Sequence, residues 1–184
     1  AYVDMDGEKM SKSLGNVRTV RELLEQYSGE TLRFALLSAH YRSPLNFSKE
    51  LLDNAQATLD GFYLALRNAG DTAAGASDAH LSPVFSALLD DLNTPAAIAE
   101  LHQLAKALNK ASENEKAAAK AALLAGGAVL GILSEDPVAW LSKSDPDGLT
   151  AEVIDQMLID RADAKATRDF SRADAIRDEL NGAG

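Results

Sequence analysis

The feature that most constrains this chain is a succession of apolar stripes with helical spacing, each preceded by a residue that can cap a helix. Leu, Ala and aromatic residues recur every three or four positions, most clearly from residue 51 to residue 66. No strands alternate with helices in a βαβ pattern, which argues against a doubly wound nucleotide-binding sheet in these residues. The sequence therefore predicts an all-α fold, a helical bundle of about eight helices.

Capping signals predict where several of these helices begin. Thr19 is followed by Glu22 in a capping box, and Ser48 precedes the longest apolar stripe. Ser82-Pro83 and Thr94-Pro95 each combine a cap with a proline at the first helical position. Ser171, with Asp174 three residues later, predicts the start of the last helix.

Three segments are predicted to interrupt the helices. Residues 40–46 contain Pro44, and residues 134–149 contain two prolines and the only tryptophan, so both segments are expected to be mostly loop. The pair Gly126-Gly127 lies inside an Ala-rich helix, where each glycine costs about 1 kcal/mol relative to alanine.

The first residues differ from the rest. Residues 1–5 alternate weakly, as a short strand does, and Asp6-Gly7 predicts a turn. A lone strand needs a partner, and the nearest one lies just after the turn. We therefore expect a short hairpin ahead of the bundle, and further polypeptide upstream of residue 1.

These patterns suggest three parts. Residues 1–48 hold the hairpin, a polar loop and connecting helices, residues 49–149 hold the main helical bundle, and residues 150–184 hold a C-terminal helical pair.

The formal charge of −10 at first sight argues against nucleic acid as a partner, because phosphate contacts need Lys and Arg. The acidity is local, however. Residues 51–160 contain six bases and sixteen acids, whereas residues 1–50 and 161–184 are each charge-balanced. The acidic middle is typical of a solvated helical surface, so the two ends are where phosphate contacts are expected.

Several site classes are disfavoured by composition. The 184 residues contain no cysteine, which excludes a thiol nucleophile and a thiolate zinc site within them. The three histidines (His40, His80 and His102) are scattered, so we expect no metal cage made by this chain alone. No apolar run approaches the ~18 residues of a membrane span, and we expect no membrane association.

The segment with the clearest chemistry runs from residue 7 to residue 16. It places Lys9 and Lys12 three residues apart among serines and glycines. Lysines supply mobile cations, and hydroxyls and backbone amides supply further donors to phosphate oxygens. By composition alone, this is either a clamp for polyphosphate or an ordinary surface loop.

The exact string narrows these alternatives. Residues 9–13 read KMSKS, the signature of class I aminoacyl-tRNA synthetases, and residues 14–16 also fit that superfamily. Residues 40–48 (HYRSPLNFS) and 90–95 (DDLNTP) resemble segments typical of cysteinyl-tRNA synthetases, with Leu92 in place of a phenylalanine. Residues 158–161 and 173–180 resemble the C-terminal pattern of that family. The resemblance spans nearly the whole chain, although residues 67–80 and 110–149 match only loosely.

The resemblance implies the C-terminal part of a two-step ligase that activates cysteine with ATP and transfers it to tRNA(Cys). It implies that Lys12, and to a lesser degree Lys9, stabilise the charge on the leaving pyrophosphate, and that Met10, Ser11 and Ser13 help to bind ATP. The family's catalytic domain, with its zinc ion, is not recognisable here, so we expect this chain alone to be inactive. The resemblance also implies a cytoplasmic protein, and we expect a monomer.

A second candidate site lies near the end of the chain. Five basic residues recur at three- to five-residue spacing: Arg161, Lys165, Arg168, Arg172 and Arg177. They either contact tRNA phosphates and bases or pair with neighbouring aspartates on the helix surface.

Two rival functions stay open. One is the related ligase that joins cysteine to a sugar amine in mycothiol biosynthesis, which shares the KMSKS loop. The other is a free-standing helical RNA-binding module without catalytic activity. Trp140 is expected to pack in a small cluster rather than to stack on a base, and His40 is expected to order the loop before Pro44.

Overall fold

The computed structural model describes residues 3–5, 8–9, 19–143, 151–167 and 169–182. Contacts divide the chain into two compact units, Ala1–Ser142 and Lys143–Gly184. Almost all regular structure in the described residues is α-helical, which confirms the all-α prediction.

The first unit combines a very small sheet with a helical bundle. The sheet has the strand order β2-β1-β3 and consists of β1 (Val3–Met5), β2 (Glu8–Lys9) and β3 (Leu45–Asn46). The helices are α1 (Val20–Leu23), α2 (Gly29–Leu37), α3 (Lys49–Asn68), α4 (Pro83–Leu88), α5 (Thr94–Lys110), α6 (Glu113–Leu130) and α7 (Pro137–Lys143), whose last residue falls in the second unit. The second unit contains α8 (Ala151–Ala166) and α9 (Phe170–Gly182).

The capping signals of α1, α3 and α4 act as predicted. Thr19 and Glu22 form a complete capping box at the start of α1. The hydroxyl of Ser48 accepts from the backbone N–H of Leu51 at 3.2 Å and starts α3. Ser82 caps α4, with Pro83 as its first residue. Each cap satisfies a backbone donor that the helix itself leaves unpaired.

The start of α5 differs from the prediction by one residue. Asn93 is the N-cap, because its Oδ1 accepts from the backbone N–H of Ala96 at 3.1 Å. Thr94 and Pro95 are therefore the first two helical residues. Asn is a stronger cap than Thr, and proline is tolerated in the first turn, so the helix gains a residue without steric cost.

The prediction that residues 134–149 are mostly loop was wrong for the first half of that segment, where α7 forms. Asp136 starts it by accepting the backbone N–H of Ala139 at 2.9 Å, and Pro137 is the first helical residue. A helix of seven residues is too short to show a periodic apolar stripe, but the Asp-Pro pair is itself a helix-start signal.

The core is built around α3, whose apolar stripe is buried as predicted. Leu59, Tyr63 and Leu66 are almost fully buried, and Leu101 of α5 and Leu123 of α6 join them. Burying a side chain of this size contributes roughly 1.5–3 kcal/mol. The packing of α2 and α5 on α3, and of α4 and α6 on α5, therefore accounts for much of the stability of the first unit.

Two buried glycines let α6 approach its neighbours closely. A Cβ on Gly126 would lie 2.9 Å from Cγ2 of Val84 and 3.1 Å from side-chain carbons of Leu101 and Leu104. A Cβ on Gly127 would lie 2.9 Å from Leu133. The pair lowers helix propensity, but Gly126 lets α6 lie close to α4 and α5, and Gly127 leaves room for Leu133 in the segment after α6.

A chain of polar contacts joins α2 to the segment after α6. Glu30 on α2 is partly buried, and its carboxylate accepts from the hydroxyl of Tyr63 at 2.9 Å and from the backbone N–H of Leu133. The Tyr63 hydroxyl in turn accepts from the backbone N–H of Glu135 at 3.2 Å. Burial raises the pKa of Glu30 above its usual value, although both hydrogen bonds to the carboxylate act in the opposite direction.

We predict that Gly126→Ala destabilises the first unit by about 1–3 kcal/mol, the usual cost of overpacking a core. Gly61→Ala is the matched control, because a Cβ there meets nothing within 4 Å. That change should raise the free energy of unfolding by roughly 0.5–1 kcal/mol through helix propensity. Urea unfolding followed by circular dichroism measures both, and equal stability of Gly126→Ala and the unchanged chain would contradict the close-approach argument.

We predict that Glu30 makes the first unit less stable as the pH rises. Its pKa is raised above 4.5 in the folded state, so folding holds that proton more tightly. The resulting stabilisation is complete below about pH 4.5 and is lost as the pH passes through the folded-state pKa. Glu30→Gln should lack this loss in urea unfolding at a series of pH values. Glu25→Gln, at an exposed glutamate, controls for the missing charge, and identical pH profiles of Glu30→Gln and Glu25→Gln would refute the prediction.

Candidate functional site

The predicted hairpin forms at the start of the chain. Strands β1 and β2 pair antiparallel, with Asp4 opposite Lys9 and Met5 opposite Glu8. The backbone of Lys9, the first residue of the KMSKS string, thus ends β2. The other four residues of the string, Met10, Ser11, Lys12 and Ser13, lie outside the described residues.

The hairpin has a second partner that the sequence analysis missed. Strand β3 pairs parallel to β1, with Val3 opposite Leu45 and Asp4 opposite Asn46. We expected residues 40–46 to be a loop, because two residues are too few to show alternation. The signal that could have found β3 is Pro44, since proline disfavours helical conformation in the residue before it and favours an extended backbone there.

Immediately before β3, three consecutive side chains converge on Asp91, which lies between α4 and α5. The hydroxyl of Tyr41 donates to Oδ1 of Asp91 at 2.7 Å, and Arg42 lies 3.3 Å from the same oxygen. Nε of Arg42 also donates to the Tyr41 hydroxyl at 2.8 Å. The hydrogen bond to the carboxylate raises the pKa of Tyr41 above its usual value. We call the group His40, Tyr41, Arg42 and Asp91 the Asp91 junction.

His40 completes the junction through the backbone. Its Nδ1 accepts from the backbone N–H of Arg42 at 3.3 Å, which leaves the hydrogen on Nε2. Nε2 then donates to the carbonyl oxygen of Asp91 at 3.1 Å. The ring also stacks on Tyr41, with centroids 4.8 Å apart. His40 therefore orders the segment before Pro44, as the sequence predicted.

The backbone around Asp91 explains why α4 and α5 are separate helices. Asp91 and Leu92 both have positive φ, at 51° and 54°, so the helix cannot run on to residue 92. The hydroxyl of Thr94 reaches back to the carbonyl oxygen of Ala39 at 3.3 Å. Two of the segments that carried the family resemblance, residues 40–48 and 90–95, are thus in direct contact.

The second unit carries the C-terminal basic residues, and two of them, Arg172 and Arg177, have acidic partners. Arg177 lies 2.9 Å from both Asp174 and Asp178, and Arg172 lies 3.9 Å from Asp160. The start of α9 differs from the prediction, since Asp169 rather than Ser171 accepts a helix-start N–H, that of Arg172, at 3.1 Å.

The remaining basic residues of the second unit differ from this pattern. Lys165 forms no ion pair among the described residues. Nε of Arg161 is a buried side-chain nitrogen without a hydrogen-bond partner in the described part of the chain. Arg168 lies outside the described residues. The structure therefore separates paired cations, Arg172 and Arg177, from Lys165, which is available for a ligand.

Trp140 packs, as expected, and is only 3% exposed. Its ring stacks on Tyr63 with centroids 4.4 Å apart, and its Nε1 donates to Oδ1 of Asp60 at 2.7 Å. A tryptophan held on both its face and its edge cannot act as a platform for a base.

Neither a metal-binding group nor a membrane-spanning helix is found among the described residues. No group of three or more His, Asp or Glu side chains within them is arranged to hold a metal ion. None of their helices has the length and apolarity needed to cross a membrane.

Two family models match this chain. Residues 1–57 match the model described as tRNA synthetases class I (C) catalytic domain. Residues 84–134 match the DALR domain. This range contains α5, α6 and all of α4 except Pro83. The first match contains the hairpin, the KMSKS string and the residue 40–42 side of the Asp91 junction, and the second contains Asp91 itself.

Curated relatives match along the full length of this chain. It is 55% identical to a cysteine–tRNA ligase of Saccharophagus degradans over 185 aligned positions. It is 48% identical to the cysteine–tRNA ligases of Rhodospirillum rubrum and Caulobacter vibrioides over 187 positions each. In all three comparisons the whole chain is covered, and it spans about 40% of the length of the relative. Along its whole length this chain is therefore similar to cysteine–tRNA ligases, and its first 57 residues match the class I tRNA synthetase model.

Proposed function

We propose that this chain is the C-terminal part of a cysteine–tRNA ligase and supplies its ATP-phosphate loop and its helical tRNA-binding region. The observation that carries the proposal is the identity of 45–55% to cysteine–tRNA ligases, together with an intact KMSKS string at residues 9–13. The full protein would activate cysteine with ATP and transfer it to tRNA(Cys). The chain alone would be inactive, because the cysteine site and its zinc ion would belong to a part of the catalytic domain other than residues 1–57, which match its model.

In the first step, the cysteine carboxylate attacks the α-phosphorus of ATP, an α–β phosphoanhydride bond breaks, and pyrophosphate leaves. In the second step, a hydroxyl of the terminal ribose of tRNA attacks the carbonyl carbon of the adenylate, and AMP leaves. Negative charge builds on the pyrophosphate in the first step. Lys12 and Lys9 would stabilise that charge electrostatically, without transferring a proton. Met10, Ser11 and Ser13 would shape the loop around ATP.

The Asp91 junction supports a mechanical role for the helical bundle in this step. Arg42 is three residues from β3, β3 pairs with β1, and β1 pairs with the strand that ends at Lys9. We therefore propose that the junction sets the position from which the KMSKS loop closes on ATP. Because Arg42 already faces the Asp91 carboxylate, it would brace the loop rather than bind phosphate.

We propose that the three parts predicted from the sequence have separate roles. Residues 1–48 would carry the loop and its connecting helices, residues 49–149 the bundle, and residues 150–184 the helical pair that contacts tRNA. The full ligase would work in the cytoplasm as a monomer. A free-standing RNA-binding module is the second candidate, and the intact lysines of the KMSKS string favour the ligase over it, since an RNA binder has no use for an ATP-phosphate clamp.

We predict that Lys12→Ala in the full-length ligase lowers the rate of cysteine-dependent ATP–pyrophosphate exchange by on the order of 100-fold or more, as loss of a transition-state donor does. The affinity for tRNA(Cys) should change by less than about twofold, because Lys12 acts on pyrophosphate rather than on RNA. Lys49→Ala, at an exposed lysine paired with Asp53, is the control for lost charge. Equal exchange rates for Lys12→Ala and the unchanged enzyme would refute the proposed role.

We predict that Lys165→Gln weakens tRNA(Cys) binding more than Arg177→Gln does. Both changes remove one positive charge from the second unit. Arg177 is held by two carboxylates at 2.9 Å, so it must break those contacts before it can bind a phosphate, whereas Lys165 has no such competitor among the described residues. Fluorescence anisotropy with labelled tRNA(Cys), at one stated salt concentration, measures the ratio. The expected ratio is roughly threefold or more, and a larger effect at Arg177 would contradict the pairing argument.

A further inference from the structure

A groove of about 380 Å³ lies between α3 and α5, on a part of the bundle that the Asp91 junction does not use. Short side chains create it, since Ala57 and Gly61 of α3 face Ala105 of α5. A Cβ on Gly61 would meet nothing within 4 Å, so this part of the helix surface is open. The buried ring of Phe62 closes the floor.

The α5 wall of the groove presents donors and cations. Its exposed polar residues are His102, Lys106, Asn109 and Lys110, and no Asp or Glu lines the groove. Lys106 and Lys110 are one helical turn apart, about 6 Å along the axis, so both ammonium groups can reach the same ligand.

The two groove lysines lie in a part of the chain where carboxylates are abundant. Residues 51–160 contain six basic and sixteen acidic residues, so a lysine in this region has many carboxylates with which it could form an ion pair. Lys116 pairs with Glu113, and Lys49, just before this region, pairs with Asp53. Within the described residues, neither Lys106 nor Lys110 forms an ion pair or a hydrogen bond. Two unpaired ammonium groups beside an acid-free groove point to an anionic ligand.

The shape of the groove selects among anions. It is an open channel between two helices, with the buried ring of Phe62 as its floor. The other ring in the lining, that of His102, packs on Phe62 with centroids 4.9 Å apart, so no nucleobase fits between the two rings. A polymer that runs along the channel with repeated phosphates fits it better than a single nucleotide does. Thr58 donates its hydroxyl to the carbonyl oxygen of Asn54 at 2.8 Å, which leaves its oxygen lone pairs free to accept from a ribose 2′-hydroxyl.

We propose that the α3–α5 groove binds the phosphate backbone of RNA, with Lys106 and Lys110 contacting phosphates and Thr58 and Asn109 facing the ribose. This proposal rests on the proposed function, since tRNA is the RNA that the full ligase would bind. It places a contact in the acidic middle of the chain, away from the C-terminal basic residues. Phosphate contacts of this kind set affinity and register without reading the base sequence.

The test compares two double variants of the full chain that lose the same charge. Lys106→Gln with Lys110→Gln removes the groove cations, and Lys49→Gln with Lys116→Gln removes two lysines that already have carboxylate partners. Labelled tRNA(Cys) is titrated with each protein between about 50 and about 200 mM salt. Lys49, Lys106 and Lys110 are exposed and Lys116 is partly buried, so circular dichroism is used to verify that both variants fold.

The groove variant should bind tRNA(Cys) roughly tenfold more weakly at low salt, and its slope of log K against log salt should be shallower by about 1.5–2, as the loss of two phosphate contacts requires. The control variant should keep its slope. Equal losses in both variants would show a general effect of net charge and overturn the proposal, as would unchanged binding by the groove variant.

A second titration with ATP separates a polymer site from a nucleotide site. If the groove variant loses affinity for ATP and keeps its affinity for tRNA, the groove is a nucleotide site and the proposal fails. Failure of the groove is distinguishable from failure of the proposed function, because ATP–pyrophosphate exchange by the full ligase does not depend on these lysines. A chain that binds no tRNA at all would overturn the groove while leaving the exchange reaction as an independent result.

Discussion

Asp91 joins two segments of the first unit that lie about 50 residues apart in the chain. Its carboxylate faces Tyr41 and Arg42, and its carbonyl oxygen receives Nε2 of His40. The charges are exposed, and exposed ion pairs contribute little to stability. What the junction provides is geometry, because the strand that follows Arg42 is the one that pairs with the hairpin. Two-residue strands are not stable alone, so the hairpin that begins the KMSKS string depends on this support from the bundle.

The bundle can give that support because it is tightly packed where it carries the junction. Gly126 brings α6 against α4 and α5, and the turn with positive φ at Asp91 links α4 to α5. Packing and function therefore share the same elements. The groove is the opposite case, since small residues there leave a space between α3 and α5 that the protein does not fill.

Local signals in the sequence predicted the helices well wherever one residue decides the outcome. Ser48, Ser82 and the pair Thr19 and Glu22 start helices because a side-chain oxygen satisfies a nearby backbone N–H, a contact that needs no distant partner. The errors at Asn93 and in α7 were also local. Asn93 is the cap next to Thr94, which was predicted to be the cap, and Asp136 caps a helix in a segment that was predicted to be loop. By contrast, the exposure of Leu36, at 53%, could not be predicted, because a periodic stripe does not show which of its members the neighbouring helix covers.

The sequence by itself determined the all-α class, most helix starts, the hairpin and the family resemblance, because caps, periodicity and exact strings are properties of neighbouring residues. It also located the candidate phosphate-binding lysines Lys9 and Lys12 and the C-terminal basic residues. Only the tertiary structure decided that residues 40–48 meet residues 90–95, that β3 completes the sheet, and that Arg177 is paired. It alone revealed Lys106, Lys110 and Lys165 as cations without ion-pair partners in the part of the chain that the structure describes. Each of these depends on which side chains become neighbours after packing, and the free energy of that choice is spread over the whole core rather than encoded in any short segment.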